Sequence, residues 1–254
     1  MNGLTLPWLP PVMGPGNTAA PAVVYFDDFV ASDGYAANGS DGIASETANV
    51  AQFHLTLVDG ATDAGETIVI SDAEPGGVLA ITTNDADDDS MNLQLNGEAF
   101  QVNADRDLYF ATRLKVNDAD TVDWFVGLAN TATDVLGSAV DLIGFGSSNG
   151  SGAMENAASA NIFAWLEGTG MAADSDTDTA SDLADDTFVE LSFHLRGASV
   201  AEFFVNGNKA VTNSNSDVML AAGDDLTLTI AMANQSSAAS TMEIDYILVA
   251  QERG

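Results

Sequence analysis

After Pro21 the chain alternates apolar and polar side chains, segment after segment. Over residues 108–116, Leu108, Phe110, Leu114 and Val116 fall on one side, with Tyr109, Arg113 and Lys115 on the other. Val189, Leu191, Phe193 and Leu195 alternate in the same way with Glu190, Ser192, His194 and Arg196. Leu226, Leu228, Ile230 and Met232 do so with Thr227, Thr229, Ala231 and Ala233. Successive side chains of a strand point to opposite faces, so this period of two predicts half-buried strands. Similar but shorter patterns predict strands at 22–30, 50–58, 66–70, 78–82, 91–95, 98–102, 121–129, 140–146, 161–166, 200–206 and 241–250. Asn96-Gly97, Asn149-Gly150 and Asn206-Gly207 are hairpin signals, because both residue types tolerate the positive φ of a tight turn. Helical periodicity is weak: residues 130–138 fit one short turn and the Ala-rich stretch 153–160 another. Many short strands with Gly-rich turns predict an all-β fold, a two-sheet antiparallel jelly-roll sandwich over residues 21–254.

Residues 1–20 break the pattern. Five of the six prolines lie within residues 1–21, which predicts an extended arm of polyproline character. The arm carries Leu4, Leu6, Trp8, Leu9, Val12 and Met13, too apolar a set for an inert tail. It either packs on its own domain or docks on a neighbouring subunit. It does not read as a signal peptide, since it lacks a basic n-region and Pro7, Pro10, Pro11 and Pro15 interrupt any helical stretch. The expectation is synthesis in the cytoplasm without export. No stretch approaches the ~20 apolar residues of a membrane-spanning helix.

Charge narrows the partners. Thirty-eight acidic residues face six basic ones, a formal net charge of -32, and no Lys or Arg occurs before Arg106. Such a balance opposes binding to nucleic acid and to anionic membranes, both of which rely on Lys and Arg. It suits solubility or a salty medium, where screening weakens self-repulsion. There is no cysteine, which excludes disulfides, thiolate metal sites and cysteine nucleophiles.

The candidate chemistry is sparse. Asp174, Asp176 and Asp178 have the spacing that opens a calcium loop, but Thr179 stands where the sharp turn needs Gly and Asp185 where it needs a bidentate Glu. The stretch therefore reads as a solvated acidic loop, as does Asp85–Ser90. Glu243 and Asp245 share a strand face, the arrangement paired carboxylates need in a glycosidase, yet Ile247 and Val249 follow on that face and no third acid completes the row. A structural or cation-binding pair near a sheet edge is the reading preferred. His54 and His194 are the only histidines, and no G-x-S-x-G elbow accompanies them. His194 alternates outward and reads as a surface residue. Gly144–Gly150 lacks the Lys-Ser/Thr ending of a phosphate loop and reads as a turn. Trp124, Phe125 and Trp165 could form a sugar platform, but Trp124 and Phe125 are adjacent on one strand, so one of them is expected in the core.

Val24-Tyr-Phe-Asp-Asp-Phe29 and Glu243-Ile-Asp-Tyr-Ile-Leu-Val-Ala-Gln251 resemble the opening and closing strands of the concanavalin A-like lectin/glucanase sandwich. Trp124–Ala129, Ile143–Gly146 and Phe203–Gly207 are similar to its middle strands. The ending Ile244–Arg253 is similar to the C-termini of tailed-phage virion proteins with this sandwich, capsid decoration proteins among them. The glucanases' E-x-D-x-x-E row is absent, so no enzymatic activity and no catalytic residue carry over. The resemblance implies a calcium site at Asp27 or Asp28 with Asp245, and no other cofactor. It further implies a non-enzymatic virion protein on the outer capsid surface, a homotrimer whose arm contacts a neighbour or the major capsid protein. The alternative is a lectin-like carbohydrate-binding domain; a glycan hydrolase is less favoured.

Overall fold

The computed structural model describes residues 22–29, 47–50, 52–58, 66–71, 77–85, 90–147, 160–168, 175–214, 219–235 and 238–253. The arm expected at 1–20, with Leu4, Leu6, Trp8, Leu9, Val12 and Met13, lies outside them. So do Asn149-Gly150 and all but the last residue of the Ala-rich stretch.

The strands are β1 Ala22–Asp27, β2 Thr47–Val50, β3 Phe53–Val58, β4 Thr67–Ser71, β5 Val78–Thr82, β6 Ser90–Leu95, β7 Phe100–Gln101, β8 Leu108–Val116 and β9 Val122–Ala129. A one-turn helix, α1 Val135–Ser138, then precedes β10 Leu142–Ser147, β11 Asn161–Glu167, β12 Ser175–Asp182, β13 Val189–Arg196, β14 Val200–Val205, β15 Asn208–Asn213, β16 Asp225–Asn234 and β17 Thr241–Glu252. Among the described residues no helix is long and apolar enough to cross a membrane.

Two antiparallel sheets stack face to face. Sheet A runs β15-β14-β13-β8-β17-β5-β4, and β1 lies beside the second half of β17 on the edge that β5 occupies along the first half. Sheet B runs β12-β11-β10-β9-β16-β6-β3-β2, with β7 continuing the line of β6 along β16. The alternation of the sequence decides which face is inward. Phe110 stacks on its cross-strand partner Phe193 at 5.1 Å, and Phe203 of sheet A meets Phe145 of sheet B edge-on at 5.4 Å. Trp124, Leu128, Ile230 and Val249 are wholly buried in the same core. Each such side chain contributes about 1.5–3 kcal/mol by leaving water. Gln251, the last residue of the closing motif, donates to Gln101 O and accepts from Gln101 N, tying the end of β17 to β7.

Sheet B is covered on its second face as well. Segment 130–141, which carries α1, lies over a second apolar cluster containing Phe125, Phe163, Trp165, Leu142 and Ala231. Two strand amides hold it. Gln94 donates to Asn130 O and accepts from Ala132 N, while Asn92 donates to Thr133 O and accepts from Val135 N. Asp134 caps α1 by accepting from Gly137 N. This second cover explains why every residue of β9 is buried, and why Trp124 and Phe125 are both in a core rather than one of them.

Two sequence expectations about loops and turns need correction. The acidic stretch after residue 174 is not a loop: Ser175–Asp182 is β12, the edge strand beside β11. Asp176 and Asp178 lie across from Trp165 and Phe163, and a line of carboxylates on an edge strand discourages pairing with further chains. Asn96-Gly97 does not close a hairpin, since β6 and β7 follow one another along the same strand, β16. Asn206-Gly207 does, with φ of 50 and 74 degrees at the two turn positions.

Candidate functional site

The outer face of sheet A collects most of the molecule's basic groups. Register sets its rows. Val24, Ala250, Tyr109, His194 and Glu202 are successive cross-strand neighbours, and beside them run Phe26, Leu248, Ala111, Ser192 and Phe204. Val24 and Phe26, on β1, are among the few large apolar side chains left exposed among the described residues, at 55% and 52%.

A polar cluster occupies the middle of this face. Asp107, just before β8, accepts from His194 Nε2 at 2.7 Å, from the Tyr109 hydroxyl at 3.3 Å and from Gly197 N at 3.3 Å. Gly197 is required there: its φ is +56 degrees, and a Cβ would fall 2.3 Å from Ala104 O. Arg196 Nε donates to His194 Nδ1 at 3.4 Å, which leaves the imidazole proton on Nε2, facing Asp107. Glu202 binds Arg196 at 2.5 Å and Lys209 at 3.2 Å, and Tyr109 stacks on the imidazole at 4.2 Å. The Tyr109 hydroxyl is pushed well above the usual phenol range, first by burial and then by the carboxylates of Asp107 and Glu252. His194 is thus no isolated surface residue; its side chain is 19% exposed and anchored from both ring nitrogens. Asp107 was missed in the sequence because it precedes the alternating segment. The outward positions of Tyr109 and His194 on neighbouring strands were the signal that could have led to it.

The carboxylates of the closing strand lie further along the same sheet, beside Arg113 and Lys115 of β8. β17 sits inside sheet A, not at its edge, and a bulge at Asp245 interrupts its pairing with β8. Arg113 donates to Asp245 at 2.6 Å, and Lys115 forms an ion pair with Glu243 at 3.0 Å. Both cations also lie over the Phe188 ring, at 4.0 and 4.9 Å. Burial, followed by the nearby carboxylates of Glu190 and Asp245, pushes the Tyr246 hydroxyl upward as well.

The residues considered for calcium are not brought together. Asp27 accepts from Phe29 N at 2.8 Å, which holds Phe29 at a φ of 51 degrees and turns its ring into the core. Asp27 pairs with buried Ile247, whereas Asp245 is bound to Arg113; Asp28 is exposed. Among the described residues no three His, Asp or Glu side chains group to hold a metal. The aromatic platform is not formed either, because Trp124, Phe125 and Trp165 are at most 1% exposed. His54 lies on the other sheet and contacts the Thr56 hydroxyl.

No family model matches the chain, and no curated protein matches it by sequence. Among solved structures it is similar to a protein of unknown function from Shewanella oneidensis MR-1, 12% identical over 93% of this chain and 89% of that one, with a TM-score of 0.56. It is also similar to peanut lectin, 9% identical over 91% of this chain and 98% of the lectin, with a TM-score of 0.53. At such identities the likeness concerns architecture alone. The protein has the concanavalin A-like fold, a two-sheet antiparallel jelly-roll sandwich.

Proposed function

We propose that the protein is a non-enzymatic structural protein of a phage virion, a capsid decoration protein on the outer head surface. Its partners are the major capsid protein and further copies of itself, in a homotrimer. The observation that carries the non-enzymatic half is the ion pairing of the closing strand. Glu243 and Asp245 are the strand carboxylates best spaced for glycosidase chemistry, and each is held by its own cation. A general acid must hold a proton for its substrate, and a carboxylate paired with Arg or Lys stays ionised instead. The virion half rests on the resemblance of Ile244–Arg253 to the ends of such proteins. Exposed Val24 and Phe26, on the strand that follows the apolar residues 1–20, supply a surface of the kind assembly uses.

Size-exclusion chromatography with light scattering, on the full chain and on a chain lacking residues 1–20, tests the assembly. A trimer that dissociates without the arm supports the proposal. No cofactor is required in it, so a chelator leaves the trimer intact. A monomer in every condition weighs against it.

A further inference from the structure

A hollow interrupts the outer face of sheet A where small side chains meet large ones. Ser192 lies in register between Ala111 on β8 and Phe204 on β14. Around it Tyr109, His194, Arg196, Glu202 and Phe204 line a cavity of about 170 Å³. That is below the ~300 Å³ at which small-molecule pockets begin, and it accommodates one large side chain. A lane leads to it from β1: Val24 and Phe26 are exposed, and Leu248, Ala250 and Ala111 follow on the next two strands. From β1 across β17, β8 and β13 to β14, strand spacings of ~4.8 Å make the lane about 19 Å long. The basic groups along it are already paired: Arg113 with Asp245, Lys115 with Glu243, and both Arg196 and Lys209 with Glu202. In a chain of net charge -32 this face presents paired charges and apolar surface.

Resting on the homotrimer reading, we propose that this lane receives residues 4–13 of a neighbouring copy of the chain, with Trp8 seated in the hollow. Of the three tryptophans, Trp124 and Trp165 fill the two cores, which leaves Trp8. The hollow offers what an indole needs. The Phe204 ring packs against it, the half-exposed Arg196 guanidinium supplies a cation for its face, and Glu202 accepts from Nε1–H. A tryptophan filling such a pocket is the kind of residue that anchors an interface. His194 is locked by Asp107 and Arg196, so the wall is formed before the arm arrives. Length agrees as well. In polyproline geometry Trp8 to Met13 spans about 16 Å, which brings Val12 and Met13 to the Val24 and Phe26 end of the lane. Residues 14–21 then span up to about 25 Å, enough to bridge from one subunit to the next. Charge favours this occupant too, because residues 1–20 contain no Asp, Glu, Lys or Arg. The arm therefore meets a second copy of this acidic protein without like-charge repulsion.

Because the chain has no cysteine, disulfide trapping in the full-length protein tests this directly. Leu9→Cys, next to Trp8, is combined in one chain with Lys209→Cys, whose native side chain bonds Glu202 beside the hollow. Under mild oxidation the expected products are chains linked to one another, as dimers and trimers on a denaturing gel. They form about tenfold or more faster than when Leu9→Cys is combined with Thr177→Cys, an exposed position on β12 of the other sheet. Phe204→Ala, added to the first pair, slows the linking about tenfold, and so does Trp8→Ala. Links confined within single chains put the arm on its own sheet and overturn the proposal. Linking no faster than in the Thr177→Cys chain, or unaffected by Phe204→Ala and Trp8→Ala, overturns it as well. Light scattering on the same samples separates the two readings: a trimer without links between chains refutes the hollow alone, whereas a monomer refutes the homotrimer and the hollow's occupant together.

Discussion

Gln94 grips Ala132: its Oε1 accepts the Ala132 backbone N–H at 3.0 Å, and its Nε2 donates to Asn130 O at 3.0 Å in the same segment. The side chain is 5% exposed and also donates to the Thr229 hydroxyl at 3.0 Å. It works as a post that fixes the 130–141 cover onto sheet B. Gln94→Ala would leave several buried groups without partners, at a cost of about 2–3 kcal/mol in denaturant unfolding. Hydrogen exchange should rise first at Ala132 and Val135, whose N–H groups point to Gln94 and Asn92.

Beneath that cover Gly127 and Gly144 face each other across β9 and β10. A Cβ on Gly144 would meet Val126 O at 2.4 Å and the Phe125 ring at 2.8 Å. Both obstacles belong to packed sheet, so neither yields cheaply. Gly144→Ala is expected to destabilise the protein by about 3 kcal/mol, seen as a lower denaturation midpoint with an unchanged slope.

The Asn206-Gly207 turn depends on more than its backbone. Asn206 has a φ of 50 degrees, and its Oδ1 accepts from Glu190 N at 3.0 Å. Asn206→Ala loses that bond and keeps the left-handed strain, costing about 1–2 kcal/mol. Asn206→Asp, which keeps the acceptor, should recover most of the loss.

Alkaline pH weakens the fold through two tyrosines. Burial and neighbouring carboxylates raise the ionisation of Tyr109 and Tyr246 above that of an exposed phenol. Above a pH of about 10 the unfolded chain releases these protons while the folded one keeps them, so stability falls as pH rises. Below that pH the contribution is fully present. Absorbance of the phenolates should show two of the four tyrosines titrating late, together with unfolding. Tyr109→Phe and Tyr246→Phe should each flatten the alkaline loss.

How far the fold could be read in advance depended on the face each strand buries. β8, β13 and β16 carry a core face opposite a distinct second face, and their alternation located them within a residue or two. β12 escaped because Ser175–Asp182 is polar throughout; hydrogen bonding to β11 makes it a strand, and periodicity cannot report that. The aromatic residues misled for a related reason. Trp165 alternates toward an outer face, but that face is sealed by a segment distant in sequence. The polar cluster was half legible: His194 and Arg196 were placed outward correctly, whereas Asp107 and Glu202 join them only through cross-strand register.

Whether the protein coats a phage head is tested most directly by immunogold electron microscopy of intact virions with an antibody raised against the full chain. The proposal predicts gold particles distributed over the outer head surface, with the protein present in many copies per virion. Label confined to the tail or fibres, or a protein absent from purified particles, would contradict it.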